Sequence, residues 1–321
     1  MSTPGFKNVI VVGAGPAGLL LSLLLAKKGI SVLTVDAADK LDSLPRATHY
    51  GPPAVYELIR AGVIDEVRAQ GFIPRTVCWR KLDGTYLAGL DGSILDGDAD
   101  RLTCLPLDKL GQVLYNNLKA QPTSTIQWNY RVTDIGQDEG KAWVLVETSE
   151  GSKRLEADYI IGCDGANSQI RRSLFGDFNF PGKTWDEQIV ATNVCASPTG
   201  SNENLPDEIT NICLQTYYDF AKYGYEDANF IIDREHWHMA SRISKDGLWR
   251  VTYGEIPGLS REELLARQPA KFEQFLPGSP KPDQYKIASI SPYKVHQRLA
   301  EKMRVGRFLL AADAAHLCNP L

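Results

Sequence analysis

The sequence predicts an α/β fold in which a mostly parallel sheet flanked by helices is joined to a second domain of mixed or antiparallel β-sheet. Three observations carry this. An apolar run, a glycine-rich turn, a leucine-rich helix and a second apolar run follow one another between Lys7 and Asp36. Two later apolar runs end in small-residue junctions, at Asp164-Gly165 and at Ala312-Asp313. Between these junctions, residues from about 186 to 255 read as one strand after another.

Taken in order, Lys7 to Val12 is a strand and Leu19 to Lys28 a helix stopped by Gly29. Ile30 to Val35 is a second strand ending at Asp36. The unit is too compact for anything but a parallel, right-handed crossover. Pro52 and Pro53 open a helix through Arg60 that Gly62 stops, and Pro106 opens another over Leu107 to Lys119 with Leu107, Leu110, Leu114 and Leu118 on one face. Thr76 to Leu82 and Thr85 to Leu90 flank Asp83-Gly84, a hairpin signal. Thr125 to Ile135, Lys141 to Thr148 and Ser152 to Ala157, separated by Gly140 and Gly151, read as a small antiparallel meander.

From Asp158 to Cys163 a buried strand returns, followed by Asp164-Gly165 and a short helix with Arg171 and Arg172. Ile189 to Cys195, Asn211 to Tyr218, Asn229 to Ile232, His238 to Ile243 and Leu248 to Glu255 are the strands of the second domain. Ser260 and Glu263 form a capping-box start for a helix reaching Leu276. Phe308 to Leu310 is a last strand, running into Ala311 to His316.

The 321 residues, 43% of them hydrophobic, suffice for about two domains with their own cores. A charged fraction of 23% excludes disorder as the main state. With 35 basic against 39 acidic residues and no long basic run, no positive patch is expected for nucleic acid or an anionic membrane. Cys78, Cys104, Cys163, Cys195, Cys213 and Cys318 form no C-x-x-C pair and read as reduced thiols of a cytoplasmic protein. The charge-free stretch Val9 to Ala26 is interrupted by Gly13, Gly15, Pro16 and Gly18, so it reads as strand, loop and helix rather than a membrane span. Met1 to Lys7 makes a poor signal-peptide start.

The loop Gly13, Ala14, Gly15, Pro16, Ala17, Gly18 stands between strand and helix, with Asp36 at the end of the next strand. This is the context of a dinucleotide fingerprint. Gly13 permits the tight turn, Gly15 lets the backbone approach a pyrophosphate, Gly18 allows close packing, and the helix start offers N–H groups to anionic oxygen. Asp36 can accept from a ribose 2′-hydroxyl and would repel a 2′-phosphate, which favours FAD or an NAD-like nucleotide at this position.

With that loop, Cys163-Asp-Gly-Ala-Asn-Ser-Gln-Ile-Arg-Arg172 and Gly306-Arg-Phe-Leu-Leu-Ala-Ala-Asp-Ala-Ala-His-Leu-Cys-Asn-Pro320 give three marks in order. Together they resemble the FAD-dependent aromatic hydroxylases, single-component flavoprotein monooxygenases of the para-hydroxybenzoate hydroxylase type, most closely fungal members. The resemblance spans essentially the whole chain. It implies a Rossmann-like FAD-binding domain made of residues 1–75, 101–180 and 291–321, and a substrate domain made of 76–100 and 181–290. It places Asp164 and Gly165 near the FAD pyrophosphate and the NAD(P)H path, with Arg171 supporting them. It gives Asp313 the flavin ribityl chain and Arg46 the FAD phosphates. Read as local structure alone, Asp164 and Asp313 are helix caps.

The resemblance further implies that NADPH or NADH reduces FAD, that the reduced flavin captures O2 as a C4a-hydroperoxide, and that oxygen passes to a phenolic ring. No catalytic side chain is assigned. Tyr217, Tyr218, Arg242, Arg250 and Tyr253 lie on candidate substrate strands, and Tyr217 is the expected substrate contact. His236 and His238 flank Trp237 without a third ligand nearby, so no metal is expected; His316 is expected to pack near the cofactor. Two departures stand out: Ala312 occupies a position the family gives to glycine, and family members continue past Asn-Pro into a glycine-rich loop beside the flavin. The alternatives are therefore a C-terminally short, catalytically impaired flavin-binding remnant, or a flavoprotein reductase on the same scaffold. The sequence fixes no oligomeric state.

Overall fold

The computed structural model describes residues 7–195 and 218–318. Strand β1 (Asn8–Val12), helix α1 (Pro16–Ala26) and strand β2 (Ser31–Val35) form the parallel unit read from the sequence. They lie in a six-stranded sheet whose order is Arg304–Val305, Phe308–Leu310, Tyr159–Gly162, β1, β2, Ser124–Gln127. All its pairings are parallel except that of the edge strand Arg304–Val305.

Helix α1 is apolar around most of its circumference because it is packed on both sides. Leu19, Leu23 and Ala26 join the core with the helices Pro52–Ala61 and Leu107–Lys119, while Leu21 and Leu25 pack over Val9, Val11 and Val32 of the sheet. Such two-sided burial explains the charge-free run Val9 to Ala26. Among the described residues no helix is long and apolar enough to cross a membrane.

The second large sheet has eight strands, in the order His316–Leu317, Lys286–Leu299, Gly182–Cys195, Leu248–Glu255, His238–Arg242, Ala228–Ile232, Thr76–Lys81, Tyr86–Asp91. One face packs on the helix Arg261–Phe275, whose start carries the expected capping box of Ser260 and Glu263. Trp249, Val251 and Tyr253 of the sheet meet Phe272 and Phe275 there.

Two expectations change. Thr125 to Ile135 is not one arm of the meander. Asn129 adopts a left-handed φ of 61°, so Ser124–Gln127 joins the parallel sheet while Arg131–Gln137 pairs with Ala142–Thr148. The expected domain boundary at 291 falls inside the strand Lys286–Leu299, which stays paired with Gly182–Cys195 on both sides of that position. The expected strand Asn211 to Tyr218 lies, apart from Tyr218, outside the described residues.

Candidate functional site

Three sequence marks meet at one edge of the parallel sheet because their strands are neighbours. Strands β1, Tyr159–Gly162 and Phe308–Leu310 lie side by side and run the same way, so the turns that follow them emerge together. In open α/β sheets ligands bind outside the carboxyl ends of the strands.

The glycine loop is set by close approach. Gly13 has φ of 107°, and a Cβ there would stand 2.3 Å from the carbonyl oxygen of Cys163. A Cβ on Gly18 would stand 1.9 Å from the carbonyl oxygen of Gly13. Gly15 differs: its φ is −69°, and a Cβ there meets no protein atom within 4 Å. The space beside it is open, and no side chain caps the start of α1, where Pro16 leads into Ala17 and Gly18. The helix dipole and its first N–H groups thus face the opening, suited to a pyrophosphate.

Asp36 does more than wait for a ribose. One carboxylate oxygen accepts from the N–H of Ala14 at 2.6 Å, and the other from the N–H of Ala38 at 2.8 Å. Asp36 therefore braces the loop, while a carboxylate's remaining lone pairs stay available to a hydroxyl.

The Asp164-Gly165 turn sits against this loop, Cys163 donating its N–H to Val12 at 2.7 Å. Gly165 is left-handed, with φ of 78°. The carboxylate of Asp164 accepts from the hydroxyl of Ser168 at 2.5 Å and the N–H of Ile170 at 3.1 Å, so it supports the first turn of the helix Gln169–Phe175, whose N-cap is Ser168 rather than Asp164. Burial raises the pKa of Asp164, against those hydrogen bonds. Burial also pushes the Cys163 thiol up to about 12, with the neighbouring Asp164 adding to the rise. Such a thiol is not a nucleophile at neutral pH.

Arg171 ties this junction to the last one. It donates to the carbonyl oxygens of Ala166 at 2.8 Å and Ala314 at 3.2 Å, and its guanidinium lies 3.7 Å from the centre of the Phe180 ring. Ala314 belongs to the short helical turn Ala312–Ala314 that presents Asp313, which is exposed. Ala312 carries a left-handed φ of 52°, the conformation that a glycine adopts without strain. His316 is exposed in the strand His316–Leu317, paired with Leu299.

Arg46 is exposed and pairs with Asp42 at 3.0 Å. Its loop is held from the other side by Arg250, whose guanidinium donates to the carbonyl oxygens of both Pro45 and Arg46. The same guanidinium reaches the side-chain oxygen of Asn193 at 2.9 Å, and Asn193 donates to the hydroxyl of Ser289 at 2.8 Å. The sequence marked Arg250 only as one of several polar residues on strands.

This grip identifies which face of the eight-stranded sheet meets the Arg46 loop. Side chains alternate along a strand, and cross-strand register places Val77, Ala228, Ser241, Arg250, Asn193 and Ser289 in one row. The next row holds Trp79, Phe230, Met239, Thr252, Ala191 and Ser291. Trp79 and Phe230 stack with ring centres 5.7 Å apart, and both are half-buried. The third row contains Lys81, Ile232, Gly254, Ile189 and Tyr293.

The other marked side chains lie elsewhere. Tyr253 is buried against Phe272 and Phe275, and Tyr218 donates to the carbonyl of Pro277 at 2.6 Å, on the helix side of the sheet. Arg242 pairs with Asp227 at 3.0 Å and covers the Phe72 ring. Tyr217 lies outside the described residues. His238 stacks on Phe275 with its Nε2 3.3 Å from the Tyr225 hydroxyl. Among the described residues there is no cluster of three or more His, Cys, Asp or Glu able to hold a metal.

The geometry agrees with the comparisons. The sequence profile described as FAD binding domain matches residues 7–321. Para-nitrophenol 4-monooxygenase of a Pseudomonas species is 38% identical over 318 residues, covering 98% of this chain and 72% of that protein. The 6-hydroxy-3-succinoylpyridine 3-monooxygenase of Pseudomonas putida is 34% identical, covering 98% and 74%. The crystal structure of p-nitrophenol 4-monooxygenase from Pseudomonas putida superposes with a TM-score of 0.87 at 35% identity, again covering 98% of this chain and 74% of that one. On this match over nearly its whole length, and on relatives of this identity, the chain belongs to the FAD binding domain family and is an FAD-dependent monooxygenase.

Proposed function

We propose that this chain hydroxylates a phenolic small molecule, with NAD(P)H as reductant and O2 as oxygen source. The observation that carries the reading is the grip of Arg250 on the loop of Arg46, which sets that loop on the same sheet face as the stacked rings of Trp79 and Phe230. Relatives named for para-nitrophenol and for a hydroxypyridine support a hydroxyl-bearing aromatic ring as substrate.

The residues present fit FAD. The open space at Gly15 and the uncapped start of α1 would take its pyrophosphate, Asp36 a ribose hydroxyl, Arg46 phosphate charge, and Asp313 the ribityl chain. Asp164 and Gly165 close the same crevice beside the glycine loop. FAD supplies the electron transfer and the activation of O2. The protein's share is to hold the ring on the face formed by Trp79, Phe230, Met239 and Thr252, and to keep water away from it. In this reading the six-stranded sheet forms the cofactor half and the eight-stranded sheet the substrate half.

The test is FAD loading of the purified protein followed by NADPH oxidation in air with and without phenols. Oxidation stimulated by a phenol, with label from O2 entering the product, supports the reading. Oxidation without label in the product selects the reductase instead. Asp313→Ala should weaken FAD retention far more than Asp219→Ala, since Asp219 only caps a turn at Lys222. Equal retention would remove Asp313 from the cofactor site.

A further inference from the structure

The third row of the sheet face has a gap at Gly254, and Trp237 fills it. A Cβ on Gly254 would stand 2.6 Å from Cζ2 of Trp237, 2.7 Å from Cε2 and 2.9 Å from Nε1, so the indole lies directly over the bare backbone of that strand. Gly254 alternates with Tyr253, which faces the helix Arg261–Phe275, so the indole rests on the opposite face, the one that Arg250 ties to the Arg46 loop. The indole is half-buried.

Trp237 also stands at a fixed position on that face. It is two residues from Met239, which pairs with Thr252 and Phe230 in the middle row. It follows the exposed Ile232 in the cross-strand order, since Ile231 pairs with His238. At about 3.3 Å per residue, the row of Arg250 lies roughly 13 Å from the row of Gly254. A single aromatic ring with one substituent spans that distance; a larger molecule would run into the indole.

We propose that Trp237, seated on Gly254, is a specificity-determining residue that ends the substrate site on the side away from the Arg46 loop and limits the size of the ring substituent. The inference rests on the phenol reading above. Trp237 touches the substituent of a phenolic ring lying on Trp79, Phe230, Met239 and Thr252, and takes no part in electron or oxygen transfer. A glycine at 254 is required because any side chain there would lift the indole into the site.

The experiment measures dissociation constants of phenol and of 4-tert-butylphenol for the FAD-loaded protein, read from the change in flavin absorbance, in the wild type, Trp237→Ala, Trp237→Phe and Gly254→Ala. The wild type should favour phenol. Trp237→Ala should shift the ratio at least tenfold toward 4-tert-butylphenol, and Trp237→Phe by less. Gly254→Ala, which displaces the indole without removing it, should weaken 4-tert-butylphenol further. Ratios unchanged within twofold in all three variants, with both phenols still bound, would overturn the role of Trp237 and leave the phenol reading standing. A wild type that binds FAD but neither phenol would overturn both. KM for the two phenols should follow the same ratios.

Discussion

Arg171 donates to the carbonyl oxygen of Ala314, 143 residues further along the chain, and so joins two βα junctions. The residue is 5% exposed and Ala314 is fully buried, so the carbonyl of Ala314 has little water to replace it. Arg171→Ala should therefore cost about 1–3 kcal/mol through unsatisfied buried groups. Urea denaturation reads the loss, and FAD affinity should fall with it because Asp313 sits on the turn that loses its anchor. A variant as stable as the wild type would show that the contact holds nothing.

Ala312 stores strain at φ of 52°. Ala312→Gly should relieve it, partly offset by the greater entropy of the unfolded chain that glycine brings, for a net gain of about 0.5–1 kcal/mol. The denaturation midpoint should rise with an unchanged slope; a lower midpoint would contradict the strain.

His238 makes stability depend on pH. Burial lowers its pKa from 6.5 to about 4, so the folded protein holds it neutral while the unfolded chain takes up a proton below pH 6.5. Its contribution is largest well above pH 6.5 and falls as the pH drops toward 4, by about 1.6 kcal/mol between pH 6.5 and 5. His49, also lowered to about 4 by burial, acts in the same direction. His238→Phe keeps the ring contact with Phe275 and should flatten part of this slope in melting curves taken from pH 7 to 5. An equally steep slope in that variant would assign the effect elsewhere.

Arg250 holds two carbonyls and Asn193 with one planar fork, which a lysine cannot copy. Arg250→Lys should loosen the Arg46 loop and lower FAD affinity several-fold. Asn193→Ala should do likewise, and the double variant should lose less than the sum of the two. Strict additivity, measured by FAD titration, would show that the two side chains act apart.

The parts of the fold that were legible in the sequence are those with local causes. The glycine loop, the helix stop at Gly62, the hairpin at Asp83-Gly84 and the capping box at Ser260 each depend on a few adjacent residues. Where the cause is distant, the pattern misled or said nothing. The run Thr125 to Ile135 looks continuous because its apolar alternation survives the turn at Asn129. The strand Lys286–Leu299 has a broken alternation, and its pairing with Gly182–Cys195 shifts register twice. In the site, the glycines and Asp36 announce themselves by spacing. Arg250, Asn193 and Trp237 do not, since their roles come from strands that are distant in sequence and adjacent in the sheet.

Gly15 is the residue at which a cradle for FAD on the glycine loop can be separated from the stability of the fold. Unlike Gly13 and Gly18, it has room for a Cβ in the protein itself and a φ of −69° that alanine adopts freely. Gly15→Ala should thus fold as stably as the wild type while its methyl group blocks the approach of the pyrophosphate. FAD titration of both proteins, followed by flavin fluorescence beside a melting curve without FAD, separates the two effects. Equal melting and at least a tenfold loss of FAD affinity are expected. Equal melting with wild-type affinity would mean that the nucleotide does not lie on this loop.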